Sequence, residues 1–180
     1  MRLSALKHLG EAVRALGGIQ RVRVLGSSAL LASFPELGEA GGPLEISFDA
    51  DLLVQPCDEQ LAAMLHEAVG EGSLFTQRTG YHADILRPDI AETLPPGWET
   101  RLVPLDPASD LAALSAEDLL VSKLRLGRPK DLALCKEVLQ RGLLQWETLK
   151  ARLDATPLPE ADVIRTYQRL NAMRDCTPKA

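Results

Sequence analysis

Hydrophobic and polar positions alternate almost without fault from Leu44 to Val54. Ile46, Phe48, Ala50, Leu52 and Val54 fall on one side of that alternation; Glu45, Ser47, Asp49 and Asp51 fall on the other. Strand side chains repeat every two residues, so the stretch predicts a strand with a core face and two aspartates aimed off its polar face. Helical spacing dominates at the start of the chain, where Leu6, Leu9, Val13 and Leu16 predict a helix over Leu3–Leu16, ended by Gly17-Gly18. Arg21–Leu25 reads as a short strand running into Gly26-Ser27-Ser28, and Ala29–Phe34 as a turn or two of helix. The glycine-rich run Pro35–Pro43 predicts a loop.

Beyond the acidic strand, Asp58 predicts an N-cap for a helix to about Val69, with Leu61, Met64, Leu65 and Ala68 inward. Leu74–Thr79 and Tyr81–Leu86 read as strands, Pro88–Trp98 as irregular, and Arg101–Leu105 as a last short strand. The pattern then turns helical. Ser115-Ala116-Glu117-Asp118 has capping-box form and Gly127 stops that helix. Pro129 suits the first position of the next helix, to about Gln140. Further helices follow near Trp146–Leu153 and Glu160–Arg174, with a frayed tail after Asp175. The expectation is an α+β fold: a small mixed β-sheet flanked by helices over residues 1–109, and a C-terminal helical module over 110–180.

Composition narrows this picture. The 180 residues are 46% hydrophobic and 25% charged, an ordinary soluble balance. Only 4% are aromatic, so Leu, Ala and Val must fill the core. A net charge of −5 argues against broad attraction to nucleic acid. Cys57, Cys135 and Cys176 lie far apart with no CxxC pair, which fits thiols in a reducing compartment. No apolar run approaches a membrane span, so the expectation is a cytoplasmic protein without a membrane partner.

Three groups of residues carry candidate chemistry. The carboxylates of Asp49 and Asp51 repel unless a cation sits between them, and hard oxygen donors suit Mg²⁺, with Mn²⁺ as the alternative. The plainer alternative is a solvated strand face whose acids discourage edge pairing. Asp84, on a strand face with His82, is a third acid able to orient or deprotonate an attacking hydroxyl, or a solvent-facing residue at a strand end. Gly26-Ser27-Ser28, between strand and helix, offers backbone N–H groups and hydroxyls to a phosphate, or serves as a simple turn and N-cap. Lys123, Arg125, Arg128 and Lys130 gather cations at a helix junction, to hold a triphosphate or to complement a helix C-terminus.

Taken in order, Gly26-Ser27, Asp49-Ala50-Asp51, Tyr81-His82-Ala83-Asp84 and Ser122-Lys123-Leu124 leading to Gly127-Arg128-Pro129-Lys130-Asp131 resemble the nucleotidyltransferase superfamily, the DNA polymerase β-like fold. The nearest resemblance is to the small bacterial AbiEii-like branch, which includes toxin components of toxin–antitoxin pairs. It spans about Leu16 to Leu139. The resemblance implies that Asp49 and Asp51 bind Mg²⁺ and that Gly26-Ser27 hold nucleotide phosphates. It also implies a phosphate or nucleotide role for Lys123 and a supporting role for Asp131. Two features depart from the pattern. The Ser27–Asp49 gap is longer than in many members, and Ala133 and Leu134 stand where many relatives carry a second acid.

The expected function is Mg²⁺-dependent transfer of a nucleotidyl group from an NTP to a hydroxyl on RNA, protein or a small molecule. The branch adds a toxin–antitoxin role with an antitoxin-like protein partner. The alternative is a catalytically inactive module of the same fold that binds a nucleotide or a partner.

Overall fold

Val22, Val24, Leu52, Leu53 and Val54 are fully buried, and they fix the centre of a five-stranded sheet. The computed structural model describes residues 1–19, 21–106 and 108–174. Cys176 and the tail from Asp175 on lie outside the described residues. The strands are β1 (Arg21–Val24), β2 (Asp49–Gln55), β3 (His82–Ile85), β4 (Val103–Asp106) and β5 (Leu111–Ala113). Their order across the sheet is β3-β2-β1-β5-β4. β1 is antiparallel to β2 and parallel to β5; β2 is parallel to β3, and β4 antiparallel to β5. The helices are α1 (Leu3–Gly17), α2 (Glu59–Val69), α3 (Leu74–Thr79), α4 (Ala116–Leu126), α5 (Pro129–Gln140), α6 (Trp146–Asp154) and α7 (Glu160–Asn171). The sheet is mixed and the chain ends in helices, as the α+β expectation holds.

The chain forms two compact units. The first comprises Met1–Glu92 with Arg101–Ser115, and the second Thr93–Thr100 with the chain from Ala116 onward. In the first, Leu6, Leu9 and Val13 of α1 and Leu65 and Val69 of α2 are buried, each contributing about 2 kcal/mol of apolar burial. Leu16 and Met64, expected inward, are 47% and 37% exposed. Asp58 caps α2 as expected, its Oδ1 accepting from Leu61 N at 2.8 Å. In the second unit, Leu120, Leu124, Val138, Leu149, Leu153 and Leu170 are fully buried. Asp118, also fully buried, is paired with Arg152 at 2.5 Å.

Several segments differ from the sequence pattern; 3₁₀ turns stand at Pro35–Gly38 and Pro88–Thr93, where a loop and irregular chain are expected. The acidic strand begins at Asp49, not Leu44. The amides of Leu44, Glu45 and Ser47 are spent on turns (Leu44 N to Leu37 O, Glu45 N to Gly42 O, Ser47 N to Leu44 O), while the Phe48 carbonyl already accepts from His82 N at 2.9 Å. Ile46 and Phe48 are consequently 77% and 59% exposed rather than core. Leu74–Thr79 is helix α3 rather than a strand, because Ser73 Oγ accepts from Thr76 N at 3.1 Å and nucleates a turn. Strand β5, within the span expected to be helical, has three buried residues and so shows no alternation. Among the described residues no helix is long and apolar enough to cross a membrane.

Candidate active site

The site begins with the register of β2. Asp49 stands opposite His82, and Asp51 opposite Asp84, across the parallel β2–β3 pair. In-register residues of neighbouring strands share a face, so four polar side chains lie on one side of the sheet. Asp49 and Asp51 are half-buried and Asp84 is exposed. Ser47 Oγ donates to Asp49 Oδ1 at 3.2 Å, and His82 Nε2 lies 3.9 Å from Asp84 Oδ1. Ala50, Leu52 and Val54 occupy the opposite face and are fully buried, so the aspartates are mounted on an anchored strand.

β1 delivers the turn. Leu25 N donates to Asp51 O at 3.0 Å, and the chain then turns at Gly26 over the Asp51 side chain. A Cβ at Gly26 would overlap Asp51 Oδ2 and stand 2.6 Å from its Cγ. Only glycine lets backbone come this close to the carboxylate. Ser27 begins a 3₁₀ helix, Ser27–Ala32, whose first turn closes through Ala29 N to Gly26 O at 2.9 Å. Ser27 is half-buried, whereas Ser28 is 1% exposed and its Oγ has no hydrogen-bond partner. The same sheet face carries a buried cation that sequence patterning did not single out. Arg23 is in register with Leu53 and donates to Asp110 Oδ1 at 2.5 Å and Asp110 O at 2.7 Å. Burial raises the pKa of Asp110, but Arg23 and Arg21 outweigh that and hold its carboxyl below the ordinary range.

The second unit sets two of the expected cations, Lys123 and Arg128, on one acid. Asp131 is 1% exposed; its Oδ1 accepts from Lys123 Nζ at 2.7 Å and its Oδ2 from Arg128 Nε at 2.5 Å. Burial pushes the Asp131 carboxyl up, yet the hydrogen bonds from Arg128 and Lys123 prevail and lower its pKa. Lys123 is itself buried, while Arg128 and Lys130 are exposed. Arg125 donates to Thr93 O at 2.9 Å. Ala133 is exposed and Leu134 buried.

The structure therefore sets Gly26 against Asp51 on the face that carries Asp49 and Asp84 in the first unit, and Lys123 and Arg128 on Asp131 in the second, with Lys130 exposed. A model of the family described as "Nucleotidyltransferase of unknown function (DUF6036)" matches residues 4–175. The chain belongs to the DUF6036 nucleotidyltransferase family. No curated protein and no solved structure matches it. Nucleotidyltransferases take an NTP as substrate class and are typically metal-dependent. The donor set is compatible with Mg²⁺. Among the described residues no group of three His, Cys, Asp or Glu is arranged to hold a metal ion. Mg²⁺, however, is commonly held by one or two carboxylates together with substrate phosphates, and Asp49 and Asp51 supply such a pair beside a glycine turn.

Two residues of this DUF6036 chain gain a place at the site only in the structure. His82 reads as a surface or packing histidine in sequence, and the strand register puts it opposite Asp49. Arg23 is in sequence only one residue of a short strand; in the structure it is buried with its guanidinium on Asp110.

Proposed function

We propose that the chain transfers a nucleotidyl group from an NTP to an acceptor hydroxyl on RNA, protein or a small molecule. The observation that carries this reading is the Gly26 backbone seated against the Asp51 carboxylate, with Asp84 in register beside it. In this reading Asp49 and Asp51 hold Mg²⁺, or Mn²⁺ in its place. The bound ion supplies neutralisation of the charge that develops on the phosphates. Gly26 and Ser27 offer a backbone N–H and a hydroxyl to phosphate oxygens. Ser28 keeps the turn in place through its burial. Asp84 accepts the proton of the attacking hydroxyl. The acceptor oxygen bonds to the α-phosphorus as the bond to pyrophosphate breaks, and pyrophosphate leaves.

A phosphate-binding role for the second unit is a separate part of the reading. The exposed Arg128 and Lys130 are its phosphate-facing cations, and buried Lys123 and Asp131 hold Arg128 in place. The likeness of Asp49-Ala50-Asp51 and of Lys123 to Asp131 to the AbiEii-like branch adds a biological role: a toxin component held by an antitoxin-like protein.

Incubation with α-labelled NTPs and Mg²⁺ tests the reaction. Label moves to an acceptor with the unmodified chain and not with Asp49→Asn combined with Asp51→Asn. Transfer retained in that double variant overturns the reading. Ala133 and Leu134, in place of an acid after Asp131, favour a second one: a binding module without turnover. Calorimetry showing NTP–Mg²⁺ binding, with no transfer across RNA and protein acceptors, would select it.

A further inference from the structure

We propose that Arg169, on α7, is a positioning residue for Arg128. The proposal rests on the reading of Arg128 as a phosphate-facing cation. Its basis is the way α4 ends. The last carbonyls of a helix have no partner within it and need one from elsewhere. Arg169 Nη1 donates to Leu124 O and to Arg125 O, each at 2.8 Å. A cation at a helix C-terminus also faces the negative end of the helix dipole. One guanidinium from a distant helix therefore closes the last turn of α4.

The same guanidinium fixes the residue that follows. Gly127 has φ +66, and a Cβ there would overlap the Arg169 guanidinium. Gly127 N donates to Lys123 O at 2.8 Å, so the turn is pinned from α4 as well as from α7. Arg128 comes next and is the N-cap of α5, with φ −66 and ψ 145. Its Nε reaches Asp131 Oδ2 at 2.5 Å, and Lys123, one turn back on α4, reaches Asp131 Oδ1. A glycine turn is the softest link in this chain of contacts. Arg169 sits directly on it. Remove the guanidinium, and two carbonyls lose their donor while the turn that aims Arg128 loses its cover. Arg169 touches no substrate in this account; it sets the direction in which Arg128 leaves the junction.

The test uses the full chain, Mg²⁺, a non-hydrolysable NTP and the matching nucleoside monophosphate, followed by calorimetry. Arg128→Ala, Arg169→Ala, Arg169→Lys and the double alanine variant are compared with the unmodified chain. Arg169→Ala weakens NTP binding about tenfold, the loss typical when a residue that orients a binding group is removed. Monophosphate binding stays constant, so the preference for triphosphate falls. The double variant loses no more than Arg128→Ala alone, because the two residues act through one contact chain. Arg169→Lys gives an intermediate preference and serves as the deciding variant if the alanine form does not fold. Unaltered triphosphate preference in the Arg169 variants, or additive losses in the double variant, overturns the proposal. If Arg128→Ala leaves NTP affinity unchanged, the reading of Arg128 fails, and this proposal with it. If Arg128→Ala weakens NTP binding and the Arg169 variants do not, only this proposal falls.

Discussion

Asp51 and Asp84 face each other in register across the parallel β2–β3 pair, on the sheet face that also carries Asp49. Asp84 is the more exposed of the two and stands at the sheet edge, where an acceptor can approach. Asp84→Asn should therefore separate binding from chemistry. Transfer should fall by roughly 10²–10⁴-fold, the usual worth of a general base, while calorimetric NTP–Mg²⁺ affinity stays near that of the unmodified chain. Equal loss of affinity would assign Asp84 to binding instead.

Gly26→Ala should damage the same site from the other side. The added Cβ meets Asp51 at its carboxylate, so either the turn or the side chain must shift. Overpacking of this kind costs about 1–3 kcal/mol. The expected result is a lower melting temperature together with loss of metal-dependent nucleotide binding. A variant that melts earlier but binds normally would show that the close approach serves the turn alone.

The Lys123–Asp131 pair predicts a strong stability effect. Asp131→Ala leaves a buried ammonium without its carboxylate, and breaking a buried pair in this way costs about 3–5 kcal/mol. Denaturant unfolding measures it.

The same carboxyl sets a pH dependence. Its folded pKa lies below the unfolded value of about 3.9. Its stabilisation is thus complete above that value and is lost as pH falls through the folded value. Acid titration of the melting temperature should show this loss, and Asp131→Asn should flatten it.

Cys135 gives a chemical prediction. Burial pushes its thiol up to about 12, with Lys123 lowering and Asp131 raising it to smaller extents. At pH 8 it is almost wholly protonated and shielded, so an alkylating reagent should label it only after denaturant is added. Peptide mass spectrometry reads the site. Rapid labelling of Cys135 in the folded chain would contradict the burial.

Much of the fold and the acidic centre can be read in the sequence because periodicity and local capping reflect local physics. Asp58, Gly127 and Pro129 mark helix ends through their own side chains or backbone freedom, and the observed helices respect them. Ala50, Leu52 and Val54 reveal a buried strand face. Ile46 continues the same alternation, yet turn bonding by Leu44–Ser47 keeps it out of the strand, and alternation carries no information about that competition. The β-branched and aromatic residues of Leu74–Thr79 favour a strand, while the Ser73 cap decides for helix. β5 is too short and too uniformly buried to leave a pattern. Asp84 is readable as a strand residue, but its pairing with Asp51 depends on a register set by long-range contacts. The role of Arg169 is hidden for the same reason: in the sequence it is one more basic residue in a polar helix.

A parallel pair needs a crossover, and between β2 and β3 that crossover is α2 followed by α3. The link between those helices passes through Glu71 and Gly72, both exposed. Cutting the chain there leaves Asp49 and Asp51 on one fragment and Asp84 on the other, with the strand ladder between them uncut. The three acids thus belong to one sheet face but to two stretches of chain, and neither stretch carries all three alone.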